Sequence, residues 1–176
     1  MHILITGNRN VGKTTVVDKI QKIIGIEPTG FKTRPFFDDH DRLAGFIMTQ
    51  PTKSQNIGFS KEHIIGYTDG VNWEACPDTF EDYGVNLLED AIRRKDSFIL
   101  MDELGFFESD AKRFQSIVMS CLDQTEIKVL AVVKNTQTDF LDAVRNHPNA
   151  ELYHVNLDNR DSLPEKLSLK MEMDKA

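Results

Sequence analysis

The chain has 176 residues, a formal net charge of -7, 40% hydrophobic and 28% charged residues, a balance that fits one globular domain with a single core. Its acidic character and lack of any dense Lys/Arg block exclude the electrostatic footprint of a nucleic-acid binder. No apolar run approaches the roughly 18 residues of a membrane span and no signal-peptide layout opens the chain, so a cytoplasmic monomer is expected.

The chain opens with "HILIT", a short continuous apolar strand, followed by a glycine loop and "KTTVVDKIQKII", in which Val16, Val17, Ile20, Ile23 and Ile24 recur at helical spacing. Gly25 is the expected C-terminal stop. The period then changes. "TGFKTRPFF" and "RLAGFIMTQ" read as strands joined by the polar loop "DDHD", with shorter strand-like pieces in "NIGFS" and "HIIGYTDG". These make an antiparallel insert over about residues 30–72.

After Pro77, "DTFEDYGVNLLEDAIRRK" carries Leu87, Leu88, Ala91 and Ile92 on one face, and Asp78 three residues before Glu81 gives a capping box. Gly84 weakens the middle of this helix. From there strands and helices alternate: "SFILMDE", "DAKRFQSIVMSCL", "KVLAVV", "TDFLDAVRNH", "ELYHVN", "SLPEKLSLKM". That order predicts an α/β fold with a mostly parallel sheet and helices on both faces. The tail "KMEMDKA" is expected to fray. Cys76 and Cys121 show no C-x-x-C pattern, so no disulfide is expected, and five scattered histidines give no zinc pattern.

The chemistry begins at residues 7–15, "GNRNVGKTT". Gly7-x-x-x-x-Gly12-Lys13-Thr14 matches the phosphate-binding P-loop pattern. The glycines allow backbone conformations and close approaches that a Cβ would block. The N–H groups of Gly7, Asn8, Arg9, Asn10, Val11, Gly12, Lys13, Thr14 and Thr15 can then turn inward as an anion nest at the positive end of the following helix. Lys13 would reach the β- and γ-phosphates, Thr14 would give its hydroxyl to Mg²⁺, and Thr15 would bond the α-phosphate. A nucleoside triphosphate is the expected substrate.

Cleavage needs more than a cradle. "SFILMDELGFFE" places Asp102 and Glu103 at the end of an apolar strand, where Asp102 would hold the Mg²⁺ shell and Glu103 would orient the attacking water. In a doubly wound sheet, ligands gather at the carboxyl ends of the strands, so Asp102 and the loop at Gly7 can converge. Glu108 reads as a solvated carboxylate at a helix start. A cation over the γ-phosphate would come from Arg34, Lys32 or Arg160, with Arg34 preferred. In "HVNLDNRDSLPE", Ser162 and Glu165 form a capping box. Asn159 and Arg160, on the loop before it, either contact the base or shape the turn. Trp73, Phe36, Phe37, Phe106 and Phe107 read as core or pocket wall, with base stacking as the other role.

Taken together, "ITGNRNVGKTT", "GFKTRPFFDDHDRLAGF", "IIGYTDGVNWEACPDTFE", "ILMDELGFFE" and "VNLDNRDSLP" resemble, in this order and over nearly the whole chain, the small nucleoside-triphosphatases of the THEP1 family. The resemblance implies a RecA-like P-loop sandwich and Mg²⁺-dependent hydrolysis of nucleoside triphosphates with loose base choice. It puts the nucleotide and metal roles on Lys13, Thr14 and Asp102 and the catalytic carboxylate on Glu103. Two positions depart from the family pattern. Phe106 stands where the family usually has a lysine, and Arg34 stands where an acidic residue is common; Arg34 then becomes a substitute for the lost charge. The family's likeness to nucleotide kinases keeps phosphate transfer to a small acceptor open, and Phe106 keeps open a binding module with little turnover.

Overall fold

The computed structural model describes residues 1–51, 60–94 and 98–173. One eight-stranded sheet runs through the molecule in the order β5-β4-β3-β2-β6-β7-β1-β8. The strands are β1 (His2–Thr6), β2 (Thr29–Phe37), β3 (Leu43–Thr49), β4 (Ile64–Thr68), β5 (Trp73–Ala75), β6 (Ile99–Leu104), β7 (Val129–Val133) and β8 (Ala150–His154). β2, β6, β7, β1 and β8 pair in parallel, whereas β2, β3, β4 and β5 pair antiparallel. β2 is therefore the hinge strand of the sheet, a member of both halves. "NIGFS" lies outside the described residues except for Ser60, and β5 is a short, exposed strand with too few residues for its alternation to be read from sequence.

The helices are α1 (Lys13–Ile24), α2 (Pro77–Thr79), α3 (Val85–Arg93), α4 (Lys112–Asp123), α5 (Asp139–Arg145) and α6 (Leu163–Met173). They cover the two faces of the sheet with separate cores. On one face Val16, Val17 and Ile20 of α1 and Leu163, Leu167 and Met171 of α6 pack on Ile3, Ile5, Leu100, Leu130 and Val132. On the other, Leu88 and Ala91 of α3, Phe114 and Val118 of α4 and Leu141 of α5 pack on Leu4, Phe31, Met101 and Ala131. Alternate residues of β1, β6 and β7 thus serve opposite cores, as the two-residue period of a strand demands.

Local details follow from the same residues. Gly25 ends α1 at φ 71, its N–H donating to the Gln21 carbonyl. The expected Asp78–Glu81 box is absent: Cys76 precedes the helix without a side-chain cap, and Pro77 opens it. Proline needs no donor there, because the first N–H of a helix has no internal partner. Glu81 instead accepts from the Arg113 N–H of α4 at 2.8 Å. Between α2 and α3 the chain makes a π-helical turn, Phe80–Gly84, and Gly84 lets the Phe114 ring approach to where a Cβ would be only 2.9 Å away. Ser162 donates to the Asn159 carbonyl, and the tail stays helical to Met173. Both cysteines are free, Cys121 in the core.

Gly30 permits the close pairing of β2 with β6. It sits at φ 97, and a Cβ there would lie 2.2 Å from the Leu100 carbonyl oxygen of the paired strand β6. The clash is with backbone, which cannot swing aside. Gly30→Ala is expected to lower unfolding stability by about 3 kcal/mol, read as a lower urea midpoint at unchanged slope; a midpoint equal to the parent's would contradict this account.

Candidate active site

β1 is buried along its whole length and delivers the chain to Gly7 beneath the start of the β8–α6 loop. A Cβ on Gly7 would sit 2.5 Å from the Val155 carbonyl oxygen. Asn10 at φ 61 and Gly12 at φ 102 both take left-handed conformations, and Val11 turns inward to the α1–α6 core. Gly12 caps α1 with no side-chain hydrogen bond, and the first turn carries no acidic residue. The opening N–H groups of this helix therefore have neither a capping oxygen nor a competing carboxylate, the condition under which a helix start receives an anion. Lys13 Nζ curls over the loop and donates to the carbonyls of Gly7 at 3.0 Å and Asn8 at 2.9 Å. Asn8, Arg9, Thr14 and Thr15 are exposed around it.

Asp102 comes from the end of β6 and is 6% exposed. Burial pushes its carboxyl up to about 6, against the pull of the Lys32 ammonium and, more weakly, Lys13; the Glu103 and Asp18 carboxylates push it further up. Lys32 stands in register with Asp102 across the β2–β6 pair and binds Asp18 of α1 at 2.6 Å. Two ammonium and two carboxylate groups thus meet where α1, β2 and β6 converge. Asp18 was not anticipated from sequence. The available signal is its position four residues after Thr14, which puts both on one stripe of α1.

Glu103 belongs to a different neighbourhood. It is a quarter exposed, and its Oε1 lies 3.1 Å from the Lys134 ammonium at the end of β7. With Thr33, Phe46, Ile65, Gly105, Phe107, Glu108 and Lys134 it lines a small pocket, and the Thr33 hydroxyl is buried with no hydrogen-bond partner. The ring of Phe106, where the family resemblance expects a lysine, lies under this same ammonium at 4.9 Å. Glu108 departs from the expectation of a solvated helix-start residue. It is 2% exposed, accepts from the Gly105 N–H, and is pushed up to about 7 by burial. The reason is that α4 starts only at Lys112, so Glu108 closes a buried turn rather than opening a helix.

The remaining candidates divide. Arg34 follows Lys32 by two residues on β2, and its Nε donates to Thr49 of β3 at 3.3 Å. Arg160 lies against the loop, its Cδ 3.6 Å from where a Gly12 Cβ would be. Asn159 spends its amide inside its own turn, accepting from the Asn156 N–H and donating to the His154 carbonyl. Asp161 ties this loop to Lys19 of α1 at 2.9 Å. Among the described residues, no helix is long and apolar enough to cross a membrane.

A sheet with a parallel half, a glycine-rich turn between its first strand and first helix, and a buried carboxylate at the end of β6, with β7 between it and β1, defines a P-loop nucleotide-binding fold. The NTPase family model matches residues 2–168. The nucleoside-triphosphatase THEP1 of Thermotoga sp. (strain RQ2) is 31% identical over 163 residues, covering 93% of this chain and 91% of its own. That of Aquifex aeolicus (strain VF5) is 30% identical over 182 residues, covering 98% and 99%. The crystal structure of THEP1 from Aquifex aeolicus matches with a TM-score of 0.76 at 27% identity, over 98% of this chain and 99% of its own. The solution structure of a human cancer-related nucleoside triphosphatase shares the fold at 18% identity, with a TM-score of 0.75 over 98% of this chain and 97% of its own. The chain belongs to the THEP1-type nucleoside-triphosphatase family.

The Glu108 carboxyl makes a prediction about pH. Its value in the fold is raised from 4.5 to about 7, so its contribution to stability is full below its ordinary value and is lost as pH rises through about 7. Glu108→Gln removes the ionisation and keeps an acceptor for Gly105. The loss of stability between about pH 5 and pH 8 should shrink in this variant, by at most about 3 kcal/mol; equal losses in both proteins by urea titration would refute the assignment. Asp102, raised in the same direction, leaves part of the slope in place.

Proposed function

We propose that the chain hydrolyses nucleoside triphosphates, ATP and GTP among them, to the diphosphate and phosphate in a Mg²⁺-dependent reaction. The observation that carries this reading is the charge cluster of Lys13, Lys32, Asp18 and Asp102 at the mouth of the phosphate loop. A loop that only held phosphate would have no use for a buried carboxylate beside it, since an anion next to a polyanion is repelled. It becomes useful when a divalent cation lies between them.

The donor set suits Mg²⁺. Asp102 supplies one carboxylate and Thr14 one hydroxyl, which leaves the other positions of an octahedral ion to phosphate oxygens and water. Among the described residues, no group of three or more His, Cys, Asp or Glu could hold a metal without a substrate. When bound, the ion would neutralise charge on the β- and γ-phosphate oxygens. The chain's residues do the rest. Loop N–H groups bind the phosphates, and Lys13 exchanges its two carbonyl partners for phosphate oxygens. Glu103 orients a water toward the γ-phosphate. Arg34 and Lys32, two residues apart on β2, would offer positive charge to the γ-phosphate, and Arg160 flanks the loop at Gly12.

A second reading has its own support. Phe46 stacks on Trp73 with centroids 5.5 Å apart, and Phe107 touches both Trp73 and Phe106. Trp73 and Phe106 are about two-fifths exposed, at 41% and 39%. An aromatic platform beside Glu103 is suited to a planar acceptor, whose hydroxyl would take the place of water as in a nucleotide or nucleoside kinase.

Phosphate release measured over the common nucleoside triphosphates, with and without Mg²⁺, tests the assignment. Lys13→Ala and Asp102→Asn should each slow release by about 100-fold or more, and Glu103→Gln should do so without loss of nucleotide binding. A Glu103→Gln variant as fast as the parent would remove the water-orienting role. Product formation that requires an added nucleoside or nucleoside monophosphate would favour the kinase reading. Arg34→Ala is expected to cost between about 10- and 1000-fold in turnover if its guanidinium meets the γ-phosphate; an unchanged rate would sink that role.

A further inference from the structure

We infer that Lys134 is the positioning residue for Glu103, holding its carboxylate at the edge of the phosphate site; this rests on the reading of Glu103 as the group that orients water. The ion pair is 3.1 Å long, with side-chain exposures of 30% for Lys134 and 26% for Glu103. A single ion pair still partly open to solvent contributes little to stability, so its value has to be sought in geometry.

The surroundings of Lys134 are built to hold a lysine still. Its stem runs along Gly105, where a Cβ would come within 3.0 Å of Cδ. Its ammonium lies over three rings, Phe106 at 4.9 Å, Phe107 at 5.8 Å and Phe46 at 5.9 Å, and a cation over an aromatic face is attracted to it. Its backbone is pinned on both sides. The N–H donates to the Leu104 carbonyl of β6 at 2.9 Å, and the carbonyl accepts from Arg145 Nη1 of α5 at 2.7 Å. Arg145 also holds the Thr136 carbonyl through Nη2 at 2.8 Å, so the turn after β7 is clamped from outside.

A long, flexible side chain normally loses rotamer entropy when it is fixed. Here the rings and the clamped turn have already restricted it, so the ammonium can serve as a fixed point. Without the Lys134 ammonium the Glu103 carboxylate would have more than one rotamer open to it, and a water held by a rotating carboxylate is seldom in line with the phosphorus. A small misplacement of such a group costs up to about 100-fold in rate. The ammonium of Lys134 meets Glu103 and the rings of Phe46, Phe106 and Phe107, none of them a phosphate-loop residue, so its effect falls on turnover rather than on nucleotide affinity.

The test is phosphate release by the full chain, with kcat and KM separated. Lys134→Met keeps the stem and removes the charge; kcat should fall about 10- to 100-fold while KM changes by less than about twofold. Lys134→Arg should recover part of the loss. In a Glu103→Gln background, Lys134→Met should have no further effect, because the two residues act as one unit. Phe106→Leu, which removes the ring under the ammonium at a partly exposed position, should lower kcat in the same sense with the melting temperature kept. A parent-like kcat in Lys134→Met, or an equal further loss in the Glu103→Gln background, would overturn the inference. If Glu103→Gln itself turns over like the parent, the water-orienting reading falls and the inference with it; if Glu103→Gln is slow and Lys134→Met is fast, only the inference falls.

Discussion

The carboxylate of Asp102 is the constraint around which the molecule is arranged. It sits 6% exposed at the end of a central strand, where desolvation outweighs every nearby positive charge and raises its proton affinity. A buried charge of this kind is tolerated only with compensation supplied from several directions. Lys32 supplies part of it from β2, Lys13 part from the loop, and Asp18 holds Lys32 in place from α1. Lys32 could not be there unless β2 lay beside β6 in parallel, at the register that Gly30 permits. The sheet order and the charge cluster are one arrangement seen at two scales.

β2 joins that parallel half to an antiparallel meander of β3, β4 and β5. The meander brings the Phe46 and Trp73 rings to Phe107 on the β6–α4 loop. Gly66 makes the approach possible, since a Cβ there would meet the Phe107 ring at 2.5 Å. The carboxyl end of the sheet is thus bordered by phosphate-binding backbone on one side and by aromatic surface on the other.

Much of this was legible in the sequence, for identifiable reasons. The loop could be read because its glycines answer to backbone geometry and its lysine and threonine to phosphate and metal chemistry, all at fixed spacing. The alternation from β6 to α6 could be read because apolar period changes cleanly from strand to helix. What escaped is what depends on three-dimensional pairing. Lys32 looked like a lesser neighbour of Arg34 until register set it opposite Asp102. Glu108 looked solvated because its turn resembles a helix start, and only the late start of α4 buries it. Lys134 carried no pattern at all; its partner is 31 positions away in sequence and one strand away in space. The Asp78 box failed because the helix opens at Pro77, which puts Asp78 inside the first turn and leaves the cap position to Cys76.

The sheet keeps its two cores apart, and this partition has a bearing on how such a protein can change over time. Asp102 and the phosphate loop rest on the packing of α1 and α6, while the surroundings of Glu103 draw on Ile65 and Phe107, which belong to the core of α3, α4 and α5. The phosphate loop with Asp102 and the proposed water-orienting Glu103 therefore rest on different packing layers of one sheet. Repacking one layer can reach one of them without passing through the other.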